Sequence, residues 1–227
     1  MNNYYNNLIH MAKKSWVVLS PRRTGSGYIC SLIREYYRRH YQTTINIIDP
    51  LDSANLDTIP EKTIVHAHDL KTFDLAGDHI QFVLSTRNLA DSALSWCITL
   101  QTSSFHFYRR QFSLKKHFLN KFFDKPLVMP QPFVLDPNRL LKTYGEMQYW
   151  YKHIPQHIKE KSIIIDYTLI ETDPRLILDK LGLNEKKYDP AYFNTTIRAT
   201  GQHYEWIKNW DEISEVVKNL PAQDVWQ

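Results

Sequence analysis

Short apolar runs of strand length alternate along the chain with polar turns and longer amphipathic stretches. The runs are mostly apolar, and the first is continuously so, which is typical of strands that are buried on both faces of a parallel sheet. They predict five strands, at residues 15–20, 44–48, 63–66, 80–85 and 162–165. We therefore expect an α/β fold, a three-layer sandwich with a mainly parallel central sheet.

Two longer stretches have helical spacing. One carries apolar residues at i, i+3, i+4, i+7 and i+8, which form the buried stripe of an amphipathic helix: Ala90, Ala93, Leu94, Cys97 and Ile98. Residues 137–153 predict another helix. Aromatic and basic residues interleave after residue 104, so we interpret residues 104–154 as a helical insertion within a single domain that covers residues 1–227. This insertion forms either an acceptor-binding wall or a solvated amphipathic helix.

Composition and charge narrow the class of protein. The chain has 28 Lys and Arg against 24 Asp and Glu, and 43% of its residues are hydrophobic, as in an ordered globular domain. Two cysteines, Cys30 and Cys97, are too few for a disulfide scaffold. No apolar run approaches the roughly 20 residues of a membrane span, and we expect a cytoplasmic protein. A mildly basic charge suits an anionic small ligand or a glycan better than nucleic acid.

The turn between the first strand and the following helix is the first candidate site. It reads Pro21-Arg22-Arg23-Thr24-Gly25-Ser26-Gly27-Tyr28. A glycine-containing turn that opens a helix presents unpaired N–H groups and the positive end of the helix dipole, which bind phosphate. From these residues alone, a phosphate site and an ordinary capped turn fit equally well. The segment is not a Walker A loop, because no Lys follows Gly27.

The second candidate site begins where the fourth strand ends. Arg87 leaves this strand, and Ser95 follows eight residues later in the predicted helix. Ligands of open parallel sheets bind outside the carboxyl ends of the strands, so both side chains are placed to reach a second phosphate. Taken alone, they also fit a surface arginine and a serine in the interior of a helix.

Together these segments resemble the nucleotide-binding motifs of the sulfotransferases that use 3′-phosphoadenosine 5′-phosphosulfate (PAPS). Residues 23–28 align on the glycine of the family's phosphosulfate loop, Pro-Lys-Ser-Gly-Thr-Thr-Trp, with Arg23 at its basic position. Residues 87–95 keep four residues of the 3′-phosphate motif, Arg-Asn-Pro-x-Asp-x-x-x-Ser, with Leu89 in place of Pro.

Two later segments also look like this family. Residues 163–169 and 173–183 resemble its Tyr-Glu-Asp-Leu, Asp-Pro and Phe-Leu-Gly segments, although the Tyr-Glu pair is shifted here to Asp166-Tyr167. Residues 198–210 look like its Arg-Lys-Gly loop and the Trp-Lys-Asn segment that follows it. The four motifs occur in family order, and residues 104–154 lie outside the resemblance.

The resemblance implies an enzyme that transfers a sulfuryl group from PAPS directly to a hydroxyl or amine of a small-molecule or carbohydrate acceptor, with 3′-phosphoadenosine 5′-phosphate (PAP) as product and no metal. Arg23 is its expected electrostatic catalyst. The residues expected to bind the nucleotide are Arg22, Arg23, Thr24, Gly25, Ser26, Gly27, Tyr28, Arg87, Ser95, Arg198 and Gly201. Tyr28 stands at the family's Trp and either stacks on adenine or belongs to the core.

A pair of histidines ends the third strand, in His66-Ala67-His68-Asp69. Alternate strand residues share a face, and this spacing also occurs in zinc sites, but no cysteine spacing or carboxylate cluster accompanies it. In the cytosolic sulfotransferases the equivalent strand ends in Lys-Thr-His, so the resemblance puts His68 on the general base. Imidazole is well matched to deprotonating a hydroxyl near neutral pH. Asp69 is the competing candidate for the base.

Two other functions stay open. One is a small-molecule kinase or another nucleotide phosphotransferase, whose site needs a phosphate-binding Lys and usually an acidic ligand for Mg²⁺ at a strand end. The sequence shows neither of these. The other is a non-catalytic protein that binds a nucleotide or a glycan.

Overall fold

A computed structural model of the chain describes residues 14–48, 59, 61–68, 79–102, 132–173, 175–183 and 206–221. All five predicted strands are present, and so are the helices expected after Arg87 and from residue 137. In chain order the elements are β1 (Ser15–Leu19), α1 (Ser26–His40), β2 (Asn46–Ile48), β3 (Thr63–Ala67), β4 (Ile80–Thr86), α2 (Leu89–Thr102), α3 (Pro137–Lys152), α4 (Gln156–Lys161), β5 (Ile163–Asp166), α5 (Tyr167–Thr172), α6 (Arg175–Lys180) and α7 (Trp210–Asn219).

The five strands form one sheet in the order β2-β3-β1-β4-β5, and every neighbouring pair is parallel. The central strand β1 is buried along its whole length, as its unbroken apolar sequence predicts. The structure therefore confirms the expected α/β sandwich with a mainly parallel sheet.

The chain leaves β1 and β4 in opposite directions across the sheet. From β1 it passes through α1 to β2 at one edge, whereas β4 leads on to β5 at the other edge. Adjacent strands that diverge in this way open a crevice between their carboxyl ends, which is where parallel sheets bind ligands. In this chain that crevice is flanked by the residues that follow Leu19 and Thr86.

Helix α1 packs against β1, β2 and β3 through a buried face that includes Ile29, Ile33 and Tyr37. The indole Nε1 of Trp16 donates a hydrogen bond to the hydroxyl of Tyr37 over 3.2 Å. Basic residues fill the last turn of α1, where they complement the negative end of the helix dipole. The helix is thereby held firmly, with its N-terminus at the carboxyl edge of β1.

Contacts within the chain define two compact units. The first, Met1–Asn88 with Met147–Lys186, contains the whole sheet, α1 and α4 to α6; the second, Leu89–Glu146 with Lys187–Gln227, contains α2, α7 and most of α3. In the second unit, Phe133 forms a parallel bridge with Ile207, and the Asn209 side chain bonds both backbone groups of Leu135. No helix in the described part of the chain has the length and apolarity of a membrane span.

The predicted insertion is described in part. Its helix from residue 137 is α3, whereas residues 104–131, which carry the interleaved aromatic and basic side chains, lie outside the described residues. Its role as an acceptor-binding region and the single-domain interpretation stay predictions.

Candidate functional site

The turn after β1 has the backbone conformation that an anion-binding loop needs. Arg23 and Gly25 both have positive φ angles, of 72° and 89°. Gly25 is the N-cap of α1, and no side chain caps the helix. The Tyr28 N–H donates to the Gly25 carbonyl, so the N–H groups of Ser26 and Gly27 are those that lie without a capping side chain at the positive end of this helix of 15 residues.

Glycine is required at position 25 for two reasons. Its φ lies in the left-handed region, which L side chains adopt only at a cost. A Cβ atom there would also collide with Cδ1 of Ile170 and approach Cδ2 of Tyr167 to 2.9 Å. The turn and α5 are thus fitted to each other at this residue.

Hydrogen bonds from β4 hold the loop in place. The hydroxyl of Ser85 donates to the carbonyl oxygen of Thr24 over 2.7 Å, and both residues are completely buried. The Thr24 hydroxyl donates to the carbonyl oxygen of Pro21 over 3.2 Å, so in this state it closes the turn from inside. Its predicted contact with a nucleotide stays a prediction.

Arg87 joins the carboxyl ends of β4 and β1. Its Nη1 donates to the carbonyl oxygen of Arg23 over 3.1 Å, and its guanidinium carbon lies 4.0 Å from the ring centroid of Tyr167. A cation over an aromatic face is attracted by the ring quadrupole, and stacking also limits the rotamers of the arginine. The two segments that the sequence marked as candidate phosphate sites are therefore neighbours.

Tyr167, where the family's Tyr-Glu pair is shifted in this sequence, lies beside the candidate site. It follows β5 directly, is buried, and contacts both Arg87 and the Cβ position of Gly25. The preceding Asp166 caps α5 by accepting from the backbone and the hydroxyl of Thr168, and it also accepts from Thr86. Burial acts to raise the pKa of Asp166, but these hydrogen bonds outweigh it and the pKa is lowered.

His68 follows β3 with its ring oriented by the backbone of β1. Nδ1 lies 2.9 Å from the carbonyl oxygen of Ser20. A second contact joins Nδ1 to Oγ of the same serine, over 3.4 Å. A carbonyl only accepts, so the shorter contact favours the tautomer with the hydrogen on Nδ1 and the lone pair on Nε2. This is the tautomer that a general base acting through Nε2 requires.

His66 lies beside the start of α1. Its Nε2 is 2.8 Å from Oγ of Ser26, the first residue of the helix, and its ring centroid is 4.4 Å from that of His68. Both histidines are half-buried. The structure thus brings His66 to the loop after β1, a contact that strand periodicity alone does not reveal.

The last turn of α3 supports the same edge of the sheet. Nε1 of Trp150 donates to the carbonyl oxygen of His68 over 3.1 Å, and the hydroxyl of Tyr151 donates to the carbonyl oxygen of Ser85 over 3.1 Å. Burial raises the pKa of Tyr151, the charge of Asp166 adds to this, and a hydrogen bond with the Arg87 backbone opposes it. Both aromatic residues are buried, and nothing local in the sequence indicates the bonds that they make to the strand ends.

The other predicted site residues have different positions. Tyr28 is 9% exposed, burial raises the pKa of its hydroxyl to about 12, and that hydroxyl has no hydrogen-bond partner in the described part of the chain. Arg22 in the loop and Gly27 in the first turn of α1 are half-buried. Ser95 is buried in α2, in the second unit. Asp69, Arg198 and Gly201 lie outside the described residues.

The described residues contain no group of three or more His, Cys, Asp or Glu side chains arranged to hold a metal ion. Comparison of the chain with protein-family models, curated proteins and solved structures found no match.

Proposed function

We propose that the protein is a PAPS-dependent sulfotransferase that transfers the sulfuryl group to a hydroxyl or amine of a small-molecule or carbohydrate acceptor. One observation carries the proposal: Arg87 donates to the carbonyl oxygen of Arg23. This contact makes neighbours of the two segments that resemble the 5′-phosphosulfate and 3′-phosphate motifs. The crevice between β1 and β4 is also where a parallel sheet of this strand order binds ligands.

The loop from Arg22 to Gly27 is the proposed site of the 5′-phosphosulfate. Uncapped N–H groups, the helix dipole and two arginines supply positive charge in a loop that Ser85 holds rigid. Negative charge grows on the bridging oxygen of the leaving phosphate as the sulfur–oxygen bond breaks. Fixed positive charge at that position lowers the barrier without reorganisation, and this is the role assigned to Arg23.

His68 is the proposed general base. Its Nε2 takes the proton from the acceptor hydroxyl while the acceptor oxygen bonds to sulfur and PAP departs. The bond from Nδ1 to Ser20 holds the ring in the tautomer for this step and stabilises the positive charge that the ring acquires. Most of the rate enhancement comes from positioning and charge stabilisation, as in phosphoryl transfer.

Arg87 is the proposed partner of the 3′-phosphate, with Ser95, Arg198 and Gly201 as its further predicted contacts. Stacking on Tyr167 and the bond to Arg23 fix the guanidinium plane, and a fixed plane binds a phosphate with less loss of side-chain entropy. An enzyme built in this way distinguishes PAP from AMP and ATP by the 3′-phosphate.

No observation favours a kinase over this proposal. The acidic residue at the carboxyl end of β5 is Asp166, and both of its carboxylate oxygens accept hydrogen bonds from Thr86 or Thr168. These bonds assign it to capping α5 rather than to holding Mg²⁺.

Calorimetric titration with PAP, with AMP and ATP plus Mg²⁺ as controls, tests the nucleotide site. We expect micromolar affinity for PAP and much weaker binding of the controls, followed by sulfuryl transfer from PAPS in an acceptor screen. Equal affinity for PAP and AMP would remove the 3′-phosphate site, and a preference for ATP with Mg²⁺ would favour a kinase. Tight PAP binding without turnover over a broad acceptor panel would favour a binding protein.

A further inference from the structure

His66 has no role in the proposed mechanism, and it is paired with Ser26 of the proposed phosphosulfate site. Ser26 opens α1, its side chain is buried, and its Oγ lies 2.8 Å from Nε2 of His66. The two residues are 40 positions apart, and each belongs to an element that borders the loop after β1. Such a contact between a helix start and a strand end is built by the tertiary structure and not by local turn chemistry.

A serine hydroxyl has one hydrogen to donate. If Nε2 of His66 is unprotonated, the serine hydroxyl donates its hydrogen to the imidazole and cannot donate it to an anion at the helix N-terminus. If Nε2 carries a hydrogen, the imidazole donates and the hydroxyl is released to donate elsewhere. The state of His66 therefore decides whether Ser26 is a donor for the loop.

We propose that His66 is a positioning residue for anion binding: when the anion is bound, its Nε2–H donates to Oγ of Ser26 and directs the serine hydroxyl toward an oxygen of the phosphate or sulfate group. This inference rests on the proposed function for the identity of the ligand, but it requires only that the loop binds an anion. The two histidines then have different roles: Ser20 orients His68, whereas His66 orients Ser26.

A double-mutant cycle tests the coupling. Affinity for pyrophosphate and for PAP is measured by calorimetry in wild type, Ser26→Ala, His66→Phe and the double variant, with circular dichroism as the check on folding. Loss of one hydrogen bond to a charged anion predicts about a 10- to 100-fold weaker affinity for His66→Phe. The double variant should be no weaker than Ser26→Ala alone. If His66→Phe weakened the affinity by the same factor in wild type and in the Ser26→Ala variant, the proposal would be overturned.

His66→Gln is the conservative control. The glutamine amide reaches the position of Nε2 and can donate to Ser26, so we expect affinity within about 2-fold of wild type. A loss as large as that of His66→Phe would contradict the donor role.

The wild-type protein provides a measurement that does not depend on a variant folding. The ¹⁵N chemical shift of His66 Nε2 in the pyrophosphate complex should be that of a protonated ring nitrogen, and an unprotonated value there would overturn the inference. Pyrophosphate binding without preference for PAP would remove the sulfotransferase proposal and leave this inference standing. Preferential binding of PAP with no coupling between Ser26 and His66 would overturn this inference and leave the sulfotransferase proposal standing. If neither pyrophosphate nor PAP bound, both proposals would be overturned.

Discussion

The ring of His68 and the carbonyl oxygen of Ser20 are joined by a hydrogen bond of 2.9 Å, although 48 residues separate them in the chain. Ser20 follows β1 and His68 follows β3, and the two strands are direct neighbours in the sheet. The bond favours the tautomer with the hydrogen on Nδ1, which leaves Nε2 as the basic nitrogen. The role of His68 as general base stays a prediction that kinetics can test.

Replacing His68 with alanine should lower kcat for sulfuryl transfer by about 10²- to 10⁴-fold, the usual contribution of a general base. Affinity for PAP should change little, because the imidazole acts on the acceptor and not on the nucleotide. Steady-state kinetics with calorimetry separate the two effects. Full turnover in this variant, together with loss of turnover in Asp69→Asn, would transfer the base assignment to Asp69.

Replacing Arg87 with alanine should weaken PAP binding by about 10- to 100-fold, as expected for a charge-assisted hydrogen bond, and should change AMP binding much less. Arg87→Lys should recover only part of the affinity, because an ammonium keeps the charge without the planar fork. Arg38→Ala is the matched control, since Arg38 pairs with Glu35 in the last turn of α1. Unchanged PAP affinity in Arg87→Ala would remove Arg87 from the site.

The contact between Tyr167 and Arg87 predicts a difference between two variants. Tyr167→Phe keeps the ring beneath the guanidinium and should bind PAP nearly as well as wild type. Tyr167→Leu loses the cation–π attraction, which is about 1 kcal/mol, so its affinity should fall about 5-fold. Both affinities are measured by titration, and equal values for the two variants would show that stacking does not orient Arg87.

Gly25→Ala should destabilise the protein by about 2 kcal/mol or more, because the positive φ alone costs about 1–2 kcal/mol and the new methyl group meets Ile170 and Tyr167. The same variant should lose PAP binding as the loop moves. Gly145→Ala is the control: it lies within α3 with open space at its Cβ, and it should be stabilising by up to about 1 kcal/mol. Urea denaturation measures the free energy of unfolding of both variants. Similar changes for Gly25→Ala and Gly145→Ala would refute the steric argument.

Glu35 predicts a pH dependence of stability. Hydrogen bonds from Arg38 lower the pKa of Glu35 to about 2 against the opposing effect of burial, with Arg39 assisting. A lowered pKa in the folded state stabilises the protein above the ordinary value of about 4.5, and this stabilisation is lost as the pH falls toward 2. Glu35→Gln should therefore be less stable at pH 7 by about 1 kcal/mol, after allowance for solvent screening.

Urea denaturation at pH 7, 5 and 4 tests this. The difference in the free energy of unfolding between Glu35→Gln and wild type should decrease as the pH falls. Glu146→Gln is the control, because Glu146 is exposed and its ion pair with Lys142 is 3.9 Å long. If the difference in free energy of unfolding between Glu35→Gln and wild type stayed constant with pH, the ion pairs would not lower the pKa of Glu35.

The sequence by itself determined the five strands, the helices α1, α2 and α3, and the glycine turn of the site. Runs rich in apolar residues mark the strands because the strands of a parallel sheet are largely buried, and all five predicted strands are present. Gly25 was identifiable as a turn residue because the conformational freedom of glycine is a local property. The exit of Arg87 from a buried strand is equally local, since it depends only on consecutive residues.

Only the tertiary structure decided which of these local features meet. Arg87 and the Arg23 carbonyl are 64 residues apart, and their contact depends on β4 pairing with β1 rather than with another strand. The bonds of His66 to Ser26 and of Tyr151 to Ser85 depend on strand order and helix packing in the same way. Hydrophobic periodicity records which face of an element is buried, but it carries no information about the partner, and for that reason the residues that support this site were identifiable only from the fold.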